Sequence, residues 1–362
     1  MRFGWIGGGT RSEYLYSCLK NELKGANWLK SHPLSIIRDN ALIPIYIIED
    51  SPLSSLPRIL CGVAPGVTIL TNYFFTYGGP EPIHNSPWKG NLEKLKTKNT
   101  DFWDPLYDWK NNGNVAEREV AVSGKVAFTS VEDRIASNSD AYYIPFPILP
   151  EDSLRIPQRS KTLLNCGGVS LEWRPEIFLL SSKDAEKSFW LVDADEVPQA
   201  ERLKAQYQAE NVEILYPRTP RLWKKLLRHG GVSLFQLFSG YHSLSPYIEM
   251  SLAASLPVVT TNYGKGKEYQ YVYKIDPGKE ETTATRMIIR ELFEGEAGKI
   301  SQARHDYAND IFNSKSIAAE VEFLASKLTK QDYWLLEEAK KWVEYKVCQD
   351  DFIKETFKEL GW

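Results

Sequence analysis

Residues 243 to 261 read Ser-Leu-Ser-Pro-Tyr-Ile-Glu-Met-Ser-Leu-Ala-Ala-Ser-Leu-Pro-Val-Val-Thr-Thr, an order with a chemistry of its own. Ser245 suits a helix N-cap and Pro246 the first helical position, where a missing N–H costs nothing. The free N–H groups and the dipole of such a terminus favour an anion. Glu249, four residues after the cap, returns to the face of the opening turn. From there a carboxylate can accept two hydrogen bonds from a vicinal diol, as a ribose 2′,3′-hydroxyl pair offers. Phosphates at the helix start and a diol on the acid together describe a nucleotide site. A plainer reading stands beside it: a surface helix with a dipole-stabilising acid in its first turn.

Three further groupings invite a chemical reading. Asp193-Ala194-Asp195 follows an apolar run and has the form of a D-x-D pair that shares a divalent ion with a diphosphate. The alternative is a pair of solvated turn acids opening a helix near Glu196, and short motifs of this kind have low specificity. Gly7-Gly8-Gly9 follows a strand-like run but lacks the spacing of a dinucleotide fingerprint. His32, His84, His229, His242 and His305 form no metal-ligand pair, and Cys18, Cys61, Cys166 and Cys348 are scattered. Buried free thiols in a reducing compartment are the expected state of the cysteines.

The elements that must position these residues alternate. Residues 2 to 6 suggest a strand, followed by the glycines and a capping box from Thr10 to Glu13. The helix that follows places Leu15, Cys18, Leu19 and Leu23 on one stripe. Runs at 43 to 48, 67 to 71 and 126 to 130 suggest further buried strands, with 141 to 148 completing the unit. Prolines 145, 147, 150 and 157 then mark a linker. A second series begins with Thr162 to Cys166 and Gly167-Gly168. Strands are expected at 188–192, 212–216, 232–238 and 258–261, and helices at 174–182, 198–209 and 218–229. Alternation of this kind predicts a second doubly wound α/β domain. The expected division is 1–150, 158–316, and a helical tail over 317–362. Residues 76 to 118, irregular and rich in Trp, Pro, Asn and Lys, have the character of a functional loop.

Composition removes some classes of function. With 362 residues the chain can form two cores, and a net charge of −3 gives no basic field for nucleic acid. The 11 Trp and 19 Tyr suit sugar sites but also ordinary cores. The opening residues lack a signal-peptide core, and no stretch has transmembrane length, so a cytoplasmic protein is expected.

Taken together, Leu163 to Gly168, Arg174, Trp190 to Asp195, Ile214 to Pro217 and the Glu249 motif resemble the GT-B glycosyltransferases. The likeness is greatest to their retaining, nucleotide-sugar-using family-four branch. It covers residues 160 to 320 best. What it implies is two Rossmann-like parallel-sheet domains facing a cleft, with C-terminal helices returning to the first domain. The implied activity moves a sugar from a nucleotide-diphosphate sugar to a glycan, lipid or small-molecule acceptor, with no metal or other cofactor and with anomeric retention. By the same resemblance Glu249 holds the ribose, while Ser243, Leu244 and Ser245 present N–H groups to the diphosphate. Arg174 neutralises the leaving phosphate. Gly8, Gly9 and Thr10 approach the donor from the other domain, Tyr216 and Pro217 flank the base, and Tyr241 and His242 lie near the donor sugar. The chain departs from the pattern at Tyr241, which replaces the first Glu of E-x7-E, at Gly168, which replaces an Arg, and at Arg174, which replaces a Lys. A catalytically silent sugar-binding or partner subunit is therefore a competing class. Residues 218 to 229 form a basic amphipathic pattern, read either as a peripheral contact with anionic lipid or as a domain helix with a solvated face.

Overall fold

Short runs of β-branched and aromatic residues, closed by glycines and polar turns, form two six-stranded sheets in which every described strand pair is parallel. The computed structural model describes residues 2–6, 10–23, 27–29, 45–48, 67–70, 126–128, 142–157, 160–170, 173–236, 246–262, 269–296 and 298–326. The expected loop at 76–118 and the helices expected beyond 326 lie outside these residues. Contacts divide the chain into Met1–Pro145 with Lys315–Trp362, and Phe146–Ser314.

In the first unit the strands are β1 (Arg2–Ile6), β2 (Asn27–Leu29), β3 (Ile45–Ile48), β4 (Val67–Leu70), β5 (Val126–Phe128) and β6 (Tyr142–Tyr143). Their order is β2-β1-β3-β4-β5-β6. Helix α1 (Thr10–Lys20) connects β1 to β2, and Leu15, Cys18 and Leu19 are buried along its inner stripe as their spacing predicts. Thr10 is the first helical residue rather than the cap.

In the second unit β7 (Thr162–Cys166), β8 (Lys187–Leu191), β9 (Val212–Leu215), β10 (Val232–Phe235), β11 (Val258–Thr261) and β12 (Tyr273–Ile275) lie in the order β12-β11-β10-β7-β8-β9. Counted within this unit the order is 6-5-4-1-2-3, the dinucleotide-fold order whose switch point falls between β7 and β10. All five residues of β7 are buried, which is why its sequence is a continuous run and not an alternation. Of its two buried polar side chains, Thr162 shares a hydrogen bond of 2.7 Å with Ser160 Oγ, and Asn165 donates to the Leu234 carbonyl of β10 at 2.8 Å. Fully buried Trp190 donates its indole N–H to the Gly167 carbonyl at 3.0 Å and so fixes the turn that leaves β7.

Helices α2 (Pro175–Ser181), α3 (Val197–Gln206), α4 (Pro220–Leu227), α5 (Tyr247–Ala253), α6 (Glu281–Glu294), α7 (Gly298–Ile311) and α8 (Ser314–Ser326) complete the described elements. In α4 the Thr219 hydroxyl accepts the Leu222 N–H at 3.2 Å, with Pro220 at the first helical position. Its Trp223, Leu226 and Leu227 are buried, and Trp223 donates to the Tyr247 carbonyl of α5 at 3.0 Å. The proline-rich segment after residue 144 is packed on this unit: Phe146 and Ile148 are buried, and the Ile148 N–H bonds to the Phe312 carbonyl at 2.9 Å. No described helix is long and apolar enough to cross a membrane.

Candidate functional site

In a doubly wound sheet, ligands bind outside the carboxyl ends of the strands at the switch point. In the second unit those ends are Cys166-Gly167-Gly168 after β7, Val192-Asp193 after β8, Tyr216-Pro217-Arg218 after β9 and Gln236 after β10. Four side-chain groups gather there or on the helices that follow.

The first is Glu249. Helix α5 begins at Tyr247, one residue later than the sequence suggests, because the Pro246 carbonyl already accepts the Met250 N–H at 2.9 Å and Pro246 is the cap. All seven residues of the helix are buried. Glu249 has 0% exposure, and its Oε1 accepts the Tyr269 hydroxyl at 2.6 Å. A surface acid serving only the helix dipole is therefore ruled out. This is an interior carboxylate in a short, charge-assisted hydrogen bond.

The second is Arg174. It caps α2 in the left-handed region with φ 47°, and its Nε donates to Glu176 Oε1 at 2.6 Å while NH1 donates to Glu281 Oε2 at 3.0 Å. Glu281, at the start of α6, is buried, and burial pushes its carboxyl above the ordinary value despite the downward pull of Arg174. The arginine expected to face a phosphate is thus engaged by two carboxylates.

The third group surrounds Gly168. A Cβ built there would lie 2.6 Å from the Trp173 ring and 2.7 Å from Glu196 Oε1, so only glycine fits. Glu196 Oε1 accepts the Val169 N–H at 3.2 Å, and its Oε2 accepts the Asp193 N–H at 3.1 Å. Asp193 and Glu196 form a capping box around a 3-10 turn, with Asp195 exposed. The D-x-D pair is therefore a helix-opening turn, and Asp193 already faces a cation, Arg218.

The fourth is the end of β9. Tyr216 is 57% exposed, and its peptide bond to Pro217 is cis. Arg218 follows, ion-paired to Asp193 and packed over the Trp173 ring at 5.1 Å. The Arg218 carbonyl accepts the Tyr247 hydroxyl at 3.2 Å, which ties this end of β9 to the helix bearing Glu249. Neither Arg218 nor Trp173 stands out in the sequence as a site residue. The available signal is position: Arg218 lies in the short turn between the end of β9 at Leu215 and the start of α4 at Pro220, just ahead of the helix whose basic pattern takes it in.

Of the sequence-derived candidates, Arg174, Tyr216, Pro217 and Glu249 fall in this unit. Gly8, Gly9, Tyr241, His242, Ser243, Leu244 and Ser245 lie outside the described residues, as does the side chain of Thr10. His229 stacks on Phe189 at 4.6 Å, and His305 Nδ1 lies 2.5 Å from the Ala253 carbonyl, both structural placements. Cys18 and Cys166 are both buried.

The sequence matches no family model and no curated protein. Its structure does match solved ones. HepE of Anabaena, in complex with UDP-glucose, is 12% identical with a TM-score of 0.64, covering 91% of this chain and all (100%) of that one. AviGT4, a glycosyltransferase involved in avilamycin A biosynthesis, is 13% identical with a TM-score of 0.57, covering 91% and 98%. Sucrose-phosphate synthase from Thermosynechococcus elongatus is 11% identical with a TM-score of 0.65, covering 90% and 98%. The chain has the GT-B glycosyltransferase fold, as its motifs suggested. At these identities the likeness extends to the fold and does not single out a branch within it.

Proposed function

We propose that this protein is a glycosyltransferase that moves a sugar from a nucleoside-diphosphate sugar to a glycan, lipid-linked or small-molecule acceptor, without a metal and with retention of anomeric configuration. The observation that carries the reading is Glu249: a fully buried carboxylate on the helix that follows β10, beside the switch point of a 6-5-4-1-2-3 sheet. The fold, shared with a UDP-glucose-bound structure, supports the donor class.

In this reading Glu249 accepts the ribose hydroxyls while Tyr269 holds the carboxylate in place, and Tyr216 lies against the base. Departure of the nucleoside diphosphate needs positive charge as the glycosidic bond breaks, which a guanidinium supplies without a metal. To Tyr241, His242 and the backbone of Ser243, Leu244 and Ser245, which lie outside the described residues, this reading assigns contacts with the sugar and the diphosphate. The buried thiols fit a reducing, cytoplasmic setting. Membrane contact through 218–229 is limited to electrostatics. The apolar face of α4 is buried within the unit, leaving Arg221, Lys225 and Arg228 exposed.

One observation favours a second, non-catalytic reading: Arg174 is engaged by Glu176 and Glu281 and not open to a leaving group. Calorimetry with uridine, guanosine and adenosine diphosphate sugars, followed by donor turnover in chelator and in manganese, separates the two. Binding of one donor and its turnover in chelator are expected. Binding without turnover supports the silent subunit, a strict manganese requirement overturns the metal-free chemistry, and no nucleotide binding overturns the transferase reading and leaves a partner subunit.

A further inference from the structure

Two arginines stand at the carboxyl end of the second sheet among the described residues, and they differ in what releasing them would leave behind. Freeing Arg174 strands Glu281, whose side chain is 1% exposed. A buried carboxylate deprived of its cation is strongly destabilising. Freeing Arg218 leaves Asp193, whose side chain is 43% exposed and can turn to water. Exchange of partners is therefore far easier at Arg218.

The surroundings of Arg218 favour a ligand as well. Its guanidinium has five N–H donors, of which NH2 meets Asp193, while NH1 is buried with no hydrogen-bond partner among the described residues. A buried charged donor left unpaired is costly, and in a native fold it calls for an explanation such as a missing anion. The group is also held in place. Trp173 lies under it and fills the space that any side chain at position 168 would need. Behind it, Tyr247 fixes the Arg218 backbone from two residues before Glu249 on α5. The cation and the ribose-facing acid are thus tied to one rigid helix.

We propose that Arg218 is the residue that binds the diphosphate of the donor, exchanging Asp193 for phosphate oxygens while the Trp173 ring supports its guanidinium. The inference rests on the glycosyltransferase reading and assigns within it a role not suggested by the sequence. The fork geometry of arginine suits two phosphate oxygens at once.

Calorimetry tests this with the nucleoside diphosphate that the wild type binds, its monophosphate and the bare nucleoside, the last measured by competition. Arg218→Gln should weaken the diphosphate by about tenfold or more and leave the nucleoside within about twofold, with the monophosphate between. Arg218→Lys, which keeps the charge and loses the fork, should show a smaller loss in the same order. Asp193→Asn should raise the affinity for diphosphate relative to nucleoside, since the competing carboxylate is gone. This arm decides the matter if the Arg218 variants fail to fold. An equal loss for nucleoside and diphosphate, unchanged affinities, or no rise in the Asp193→Asn ratio overturns the proposal while leaving the donor-binding function standing. A wild type that binds no nucleoside diphosphate overturns that function as well.

Discussion

Glu249 allows its hold on the fold and the ribose-binding role proposed for it to be measured separately. Its Oε1 and the Tyr269 hydroxyl form one charge-assisted hydrogen bond of 2.6 Å between groups that are 0% and 3% exposed. Such a bond contributes about 1.5–3 kcal/mol. Tyr269→Phe removes it and keeps the carboxylate, so a loss of about 2 kcal/mol is expected. For a unit of this size that corresponds to a melting temperature lowered by about 4–8 °C. Glu249→Gln keeps the volume and an oxygen that can accept the phenol, so its stability loss should be about half as large.

Binding should rank the two variants the other way. The Gln amide offers one acceptor oxygen where the diol needs two, and the lost charge-assisted bond should weaken a nucleoside diphosphate by about tenfold to a hundredfold. Tyr269→Phe should stay within about threefold of wild type, since it leaves both carboxylate oxygens in place. A 2′-deoxynucleoside diphosphate sharpens the comparison. Wild type and Tyr269→Phe should discriminate against it, and Glu249→Gln should not. The measurements are differential scanning fluorimetry and calorimetry on the same preparations. If Glu249→Gln melts lower yet binds with wild-type affinity and still rejects the 2′-deoxy ligand, Glu249 is a structural acid and the ribose assignment is wrong.

Arg304 is fully buried, with NH1 donating to Glu296 at 2.8 Å and to the Ser255 carbonyl at 3.1 Å, and Nε donating to the Tyr271 carbonyl at 3.0 Å. Arg304→Ala strands Glu296 and should cost about 3–5 kcal/mol in urea unfolding, of which Arg304→Met with Glu296→Gln should recover part. Stability should also depend on pH at two sites of opposite sign. Burial raises the Glu281 carboxyl above 4.5, so its contribution is full below that value and is lost as pH rises through the folded pKa; Glu281→Gln should flatten that limb. At Asp184, burial is outweighed by hydrogen bonds from Arg286 and Arg290, which lower its carboxyl below 3.8. That contribution is present above 3.8 and lost on acidification, and Asp184→Asn should flatten the acid limb.

Much of this architecture is readable from sequence because parallel sheets buried on both faces require continuous apolar runs. Thr162–Cys166, Val232–Phe235 and Val258–Thr261 have that character, and each became a strand. Strand β12 was not legible, since Tyr273–Ile275 is three residues long at the sheet edge and only Ile275 is buried. The limits of the site reading have a different cause. Residue type gave Arg174 its charge, but the partner that occupies it, Glu281, lies 107 positions away. Gly168 was visible as a departure, whereas the indole that fills its space was not. Arg218 was obscured by a stronger pattern, the Leu222, Trp223, Leu226, Leu227 spacing of the helix that follows it.

Helix α5 shows why this end of the sheet can act as a preformed site. Trp223 donates to the Tyr247 carbonyl and to Ser251 Oγ at 3.0 and 3.2 Å, the Tyr247 hydroxyl holds the Arg218 carbonyl, Tyr269 holds Glu249, and His305 meets the Ala253 carbonyl. With every residue of the helix buried and its polar groups engaged from four directions, re-aiming Glu249 would break several contacts at once. Side chains fixed in this way lose little entropy when a ligand arrives, and their dipoles need no reorganisation. Adjustment then falls to ion pairs whose partners water can still solvate. Asp193 meets that condition and Glu281 does not, so donor recognition should alter the Arg218 pair and leave the Arg174 pair intact.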